Sequence, residues 1–156
     1  RETFLRVSAE LGAQEHGQAV VAEMDARLSA IEPNAAAPET LYLTPGGAVP
    51  GTGTQVDELL RLAGLQNFET RTGWHTLPLE ALAYRSPAHI AAAFFDDPSQ
   101  RLFLWSAAAH PVAKRQLRTQ PVTPLKSAWT TCGSWTLVDA VEALAAAPEG
   151  TRGSVE

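Results

Sequence analysis

The chain has a single cysteine, Cys132, among its 156 residues, so no disulfide can form within it and no multi-cysteine metal site exists. It lacks an excess of base: 12 Lys and Arg stand against 17 Asp and Glu, for a net charge of -5. No basic stripe is visible, which argues against a nucleic-acid partner. Its longest apolar runs fall far short of the ~20 residues that span a bilayer. No signal peptide is read within these residues, and Arg1 opens on a helical pattern, as expected of a mature or cut-down chain whose targeting segment is gone. The four histidines, His16, His75, His89 and His110, are too far apart to form a metal-binding pair on one helix or hairpin.

Motifs for common chemistry are missing as well. Gly51-Thr-Gly53-Thr-Gln-Val56 supplies two glycines of G-x-G-x-x-G and a valine in place of the third. Nine residues separate Thr44 from Thr54, where a dinucleotide turn is tight. Cys132, in Thr-Thr-Cys-Gly-Ser-Trp, carries no hydrolase signature, and a lone Cys is more often a small buried hydrophobe. Ser106 and Ser134 are not in G-x-S-x-G, and Asp96-Asp97 reads as a solvated turn rather than an acid–base pair.

What is present is an α/β pattern. Hydrophobic residues make up 45% and charged residues 19%, a globular composition in a chain of single-domain length. Residues 2–31 carry a helical period, first through Phe4, Val7 and Leu11 and then through Val20, Met24, Leu28 and Ile31. Gly12 and Gly17 between the two sets mark a bend or break. Leu41-Tyr-Leu reads as a strand leading into a Gly-rich loop. Thr54 is placed to cap a helix with Val56, Leu59, Leu60 and Ala63 inward, and Gly64 to stop it. Residues 67–77 read as loop. Pro78 suits the first turn of a helix over 78–85, with Thr76 or Leu77 as cap. His89-Ile-Ala-Ala-Ala-Phe-Phe reads as a strand buried on both faces. A short helix from Pro111 to Leu117, a strand over 121–129 and a last helix from Thr136 to Ala147 complete the pattern, with a tail after Pro148.

Strands alternating with helices imply a three-layer, Rossmann-like unit with a mostly parallel sheet. Ligands meet such sheets at the carboxyl ends of the strands, here the loops 45–54, 96–110 and 129–135. Those loops hold Gly46, Gly47, Gly51, Gly53, Trp105, His110, Trp129 and Trp135, and Trp74 and His75 lie on another predicted loop. Tryptophans there can form a flat apolar wall for a large ligand, or pack into the core, and both readings stand for each of them. His75 and His110 can touch a ligand. His16 and His89 are better read as a surface residue and a buried structural residue.

Four strings, taken in order, resemble the C-terminal lobe of the substrate-binding proteins that serve ABC importers of cobalamin, ferric siderophores and heme. They are LYLTPGGAVPGTGTQVDELLRLAGLQNF, GWHTLPLEALAYRSPAHIAAAFF, HPVAKRQL and CGSWTLVDAVEALA. The most telling piece is D-E-L-L-x-L-A-G-L-x-N followed by L-E-A-L-x-x-x-x-P. The resemblance covers nearly all of residues 1–147 and implies two α/β lobes joined by a long helix. Residues 1–14 would end that helix, 15–148 would be the C-terminal lobe and 149–156 a tail, with the N-terminal lobe absent.

The function it implies is non-enzymatic and periplasmic. The protein would capture a metal chelate, a ferric siderophore or cobalamin before heme, and deliver it to the permease subunits, with no cofactor of its own. If heme is the ligand, His75 or His110 could be its axial ligand. The glycines of 45–54 would let backbone approach a bulky ligand. Glu80 matches a lobe-tip glutamate that docks on permease arginines, although on its residues alone it reads as a favourable charge on an early helical turn. A single lobe with an exposed aromatic wall would also tend to self-associate. The competing reading is an α/β enzyme using a nucleotide or sugar phosphate, and a thiol- or histidine-dependent hydrolase is more distant.

Overall fold

A computed structural model describes residues 1–33, 35–96, 106–131 and 135–146. Two helices, α1 (Glu2–Glu10) and α2 (Gln14–Ser29), open the chain. They break at Gly12, whose φ of 71° lies in the left-handed region. Gly17 does not break anything: it lies inside α2, where a Cβ would come within 2.5 Å of the Ser8 side chain on α1. Its role is to let the two helices touch.

Then come β1 (Glu39–Leu43), β2 (Ala48–Pro50), α3 (Gln55–Leu62), β3 (Gln66–Asn67), β4 (Trp74–Thr76), α4 (Leu79–Tyr84) and β5 (His89–Ala93). A 3-10 turn at Ala107–Ala109 leads into α5 (Pro111–Thr119), β6 (Val122–Leu125), α6 (Ser127–Thr130) and α7 (Leu137–Ala145). Strands β1, β3, β5 and β6 form a parallel sheet in the order β3-β1-β5-β6, while β2 and β4 pair antiparallel as a separate ribbon.

The sheet is covered on both faces, which explains why β5 is apolar throughout: all five of its residues are buried. Alternation sends Tyr42, Ala91, Ala93 and Leu125 to one face, against Leu59 and Leu60 of α3 and Ala63 just after it, Val141 and Leu144 of α7, and Leu28 of α2. Leu41, Leu43, Ile90 and Ala92 face the other way, against Leu82 of α4, Ala113 and Leu117 of α5, and Phe68 and Leu77. The three-layer arrangement expected from the residues is the one observed.

An ion-pair fork ties α2 to α7. The Arg27 guanidinium donates through Nε to Glu142 at 2.8 Å and through Nη2 to both Glu142 and Asp139. These contacts hold the arginine protonated more firmly than usual and keep the Glu142 carboxyl below the usual carboxylate range.

Three expectations need correction. Residues 67–77 are not all loop, because they contain part of β3 and all of β4. The expected strand over 121–129 ends at Leu125 and gives way to α6. The cap of α4 is Pro78, without a side-chain capping bond, rather than Thr76 or Leu77. The notions about the 149–156 tail, and about Asp97, Trp105, Cys132 and Ser134, concern residues outside those described.

Candidate functional site

Four segments leave the carboxyl ends of the parallel strands: 44–54 after β1, 68–78 after β3, the chain from Phe94 after β5, and 126–136 after β6. The first two are stitched together. Pro50 pairs with Trp74 and Val49 with His75. Beyond the ribbon, the Gly51 N–H donates to the Gly73 carbonyl at 2.7 Å, the Thr52 N–H to Arg71 at 3.0 Å, and the Gly73 N–H back to Thr52 at 3.1 Å. The crossing is so close that a Cβ on Gly51 would fall on the Arg71 carbonyl.

Local chemistry then braces the crossing. The Thr54 hydroxyl accepts from the Asp57 N–H at 3.2 Å and donates to the Gly51 carbonyl at 2.8 Å, the cap expected from the sequence. Asp57, buried, accepts from the Gly53 N–H and from the Asn67 amide, both at 3.2 Å, and Asn67 also donates to the Pro50 carbonyl. Glu69, also buried, takes Arg71 Nε at 2.9 Å and Nη2 at 2.7 Å. The Arg71 guanidinium holds the Glu69 carboxyl below its ordinary range.

This geometry does not make a phosphate cradle of the Gly-rich stretch. A phosphate cradle needs free backbone N–H groups aimed at one point. Here the N–H groups of Gly51, Thr52 and Gly53 are all committed to partners within the fold. Asp57 and Glu58 in the first turn of α3 would further repel an anion. Gly51 serves this close crossing. Gly47, at φ 75°, also sits against Ala107, so the first rim segment touches the third. Gly46 and Gly53 are exposed on the same loop. The third and fourth segments are joined by Asp96, whose carboxylate accepts from the Ser127 N–H at 3.0 Å and caps α6.

The ligand candidates separate on this frame. Trp74 is 58% and Trp135 50% exposed, so both present aromatic surface. Trp129 is half-buried against the core, with the Lys126 ammonium 5.1 Å from its ring centroid. His75 is half-buried, its Nε2 3.0 Å from the Thr72 carbonyl. A carbonyl can only accept, so Nε2 is the donor in this bond. Strand alternation puts His75 on the Val49 side of the ribbon and Trp74 on the other, so the two do not line one surface. His110 is exposed and its Nδ1 accepts from the Val112 N–H at 3.2 Å, capping α5. Of the tyrosines, Tyr42 is buried in the core and Tyr84 stands 89% exposed on α4. Glu80 is exposed on the same helix. Among the described residues, no group of three or more His, Cys, Asp or Glu could hold a metal ion, and no helix is long and apolar enough to cross a membrane.

An open cleft of about 700 Å³ runs between α1, α2, α3 and α7, lined by Phe4, Met24, Leu59, Leu62, Val141 and Trp135. Its lining comes from four helices and the turn before α7, so no local pattern could announce it.

No protein-family model and no curated protein sequence matches the chain. Solved structures do. A periplasmic heme-binding protein from Pseudomonas aeruginosa superposes with a TM-score of 0.69 at 22% identity, covering 99% of this chain and 61% of that one. An ABC transporter substrate-binding protein from Listeria monocytogenes gives 0.67 at 17% identity, over 92% of this chain and 61% of that one. An ABC-type Fe3+-hydroxamate transport protein from Saccharomonospora viridis gives 0.65 at 17% identity, over 92% and 52%. These neighbours are binding proteins rather than enzymes, and this chain spans only about three fifths of their length or less. Sheet order, helical layers and superposition together give this chain the α/β fold of the substrate-binding proteins of ABC importers.

Proposed function

We propose that this chain supplies one wall of a periplasmic site for a metal chelate, a heme, ferric siderophore or corrinoid, and helps deliver it to an importer's permease. The observation that carries this reading is the fold match to proteins named for heme and for Fe3+-hydroxamate. The rim agrees with it. Among its described residues it is internally hydrogen-bonded, the Gly51–Gly53 turn offers no free N–H cradle for a phosphate, and the rings of Trp74 and Trp135 face solvent. Broad apolar rings suit a large flat or globular ligand rather than a small anion.

Titrating the chain with hemin, a ferric hydroxamate and cobalamin, followed by tryptophan fluorescence, tests the reading. Because an open rim encloses little of a ligand, the expected Kd is weak, roughly tens of micromolar to millimolar. Trp74→Ala is expected to weaken the preferred chelate by about 30-fold, the effect of losing an anchor worth ~2 kcal/mol. Tight binding of a nucleotide or sugar phosphate, with no response to any chelate, would establish the enzyme alternative instead.

Glu80 carries the delivery half of the proposal. It is exposed, and no ion pair within the described residues engages it. A carboxylate in that state is ready to accept an arginine of a partner in bidentate fashion. Glu80→Arg is expected to abolish uptake by the importer in a transport assay. Normal transport by this variant would leave Glu80 with no role beyond favouring its helix.

A further inference from the structure

We propose that the open groove between α4 and the 68–71 segment is the aromatic half of the permease-docking surface, where Tyr84 and Glu80 together grip one arginine of the permease. The proposal rests on the docking role of Glu80 argued above and adds a residue and a geometry to it.

Tyr84 is 89% exposed, although its ring is large and apolar. It stands four residues after Glu80 on α4, so the two side chains share one face of the helix. Both line the groove, together with Phe68, Pro78 and Leu79. Phe68 is buried beneath the Arg85 guanidinium, which lies 4.2 Å from its ring centroid. That ring is therefore already occupied, while the ring of Tyr84 is free.

Charge selects the occupant. Two arginines reach the groove, and each has an acid of its own. Arg71 is held by Glu69 at 2.7 Å, and Arg85 lies 3.5 Å from Glu39. The carboxylate of Glu80 is left as the uncompensated charge of the groove. A partner must bring a cation to it, and an exposed ring beside a free carboxylate favours arginine over lysine. A guanidinium is planar, so it can present its edge to Glu80 in a two-point bond and its face to Tyr84. An ammonium can do only one of these well.

The test measures binding of the chain to its importer's permease, held in lipid nanodiscs, by surface plasmon resonance. Tyr84→Ala is expected to weaken docking tenfold or more and Tyr84→Phe to preserve it, because the ring face and not the hydroxyl makes the contact. Neither change should shift the melting temperature, since the side chain lies almost wholly in solvent. If one arginine bridges both residues, Glu80→Gln combined with Tyr84→Ala will cost clearly less than the product of the two single effects. Wild-type affinity in Tyr84→Ala, with docking lost in Glu80→Arg, would overturn the groove and leave Glu80 standing. Fully multiplicative effects would overturn the shared arginine. No docking by the unmodified chain would remove both this inference and the delivery reading beneath it. Dimers that vanish on Tyr84→Ala while permease binding is unchanged would assign the face to a second copy of the chain and overturn the proposal.

Discussion

Gly51→Ala is expected to destabilise the chain by about 3 kcal/mol, seen as a lower midpoint in urea with an unchanged slope. The added methyl group has nowhere to go, because its position coincides with the Arg71 carbonyl. To admit it, the 51–54 and 70–73 segments must part. That movement strains the bonds from Gly51 to Gly73 and from Thr52 to Arg71, each worth about 1 kcal/mol net. Overpacking of this kind typically costs 1–3 kcal/mol before any bond is lost. The neighbouring Gly46→Ala serves as control: its Cβ would meet nothing within 4 Å, so little change is expected. Equal midpoints for the two variants would show that the crossing yields freely and is not the brace described here.

Acid is expected to weaken the fold by about 3 kcal/mol between pH 6.5 and pH 4, ahead of general carboxylate protonation. His89 is the cause. It is buried at the start of β5, with Nδ1 3.2 Å from the Thr40 hydroxyl and Nε2 2.9 Å from that of Thr123. Thr40 gives its own proton to the Pro38 carbonyl, so its oxygen accepts from Nδ1–H, and Nε2 in turn accepts from Thr123.

The neutral ring is thus satisfied on both sides, and burial lowers its pKa from 6.5 to about 4. The sign follows from proton counting. Between those values the unfolded chain binds a proton that the folded chain refuses, so stability is complete above about pH 6.5 and falls as the pH drops toward 4. The lowered carboxyls of Glu69 and Glu142 lose their contribution only at lower pH, as it falls through their folded values. Denaturant titrations at pH 7.0, 5.5 and 4.5 read the effect, and His89→Gln is expected to flatten the profile across this range. A wild-type profile already flat from 7.0 to 4.5 would refute the assignment.

How much could be read in advance depended on how local the signal was. Thr54 as a cap and Gly64 as a stop at φ 77° rest on chemistry within one turn of helix, and both are observed. The uninterrupted apolar run of β5 announced a strand buried on two faces. The ribbon of β2 and β4 could not be read, because three-residue strands have no periodicity and exist only through each other. The end of β6 at Leu125 also depends on a distant residue, since the Asp96 carboxylate that caps α6 lies 31 positions earlier in the chain. Pro124 is tolerated inside β6 because that strand is the sheet's edge.

The same division runs through the candidate site. Alternating strands and helices, the absence of a phosphate motif and the ordered strings around Asp57, Glu80 and Pro87 were enough to specify the layered fold and its family of likenesses. Those properties are carried by neighbours in sequence. Tertiary structure alone decided that Trp74 and Trp135 stay exposed while Trp129 packs on the core, and that Trp74 and His75 face opposite ways. It alone neutralised Arg71 and Arg85 and left Glu80 free beside Tyr84. Exposure and pairing are set by which distant segments cover a side chain, and that information is absent from any short stretch of sequence.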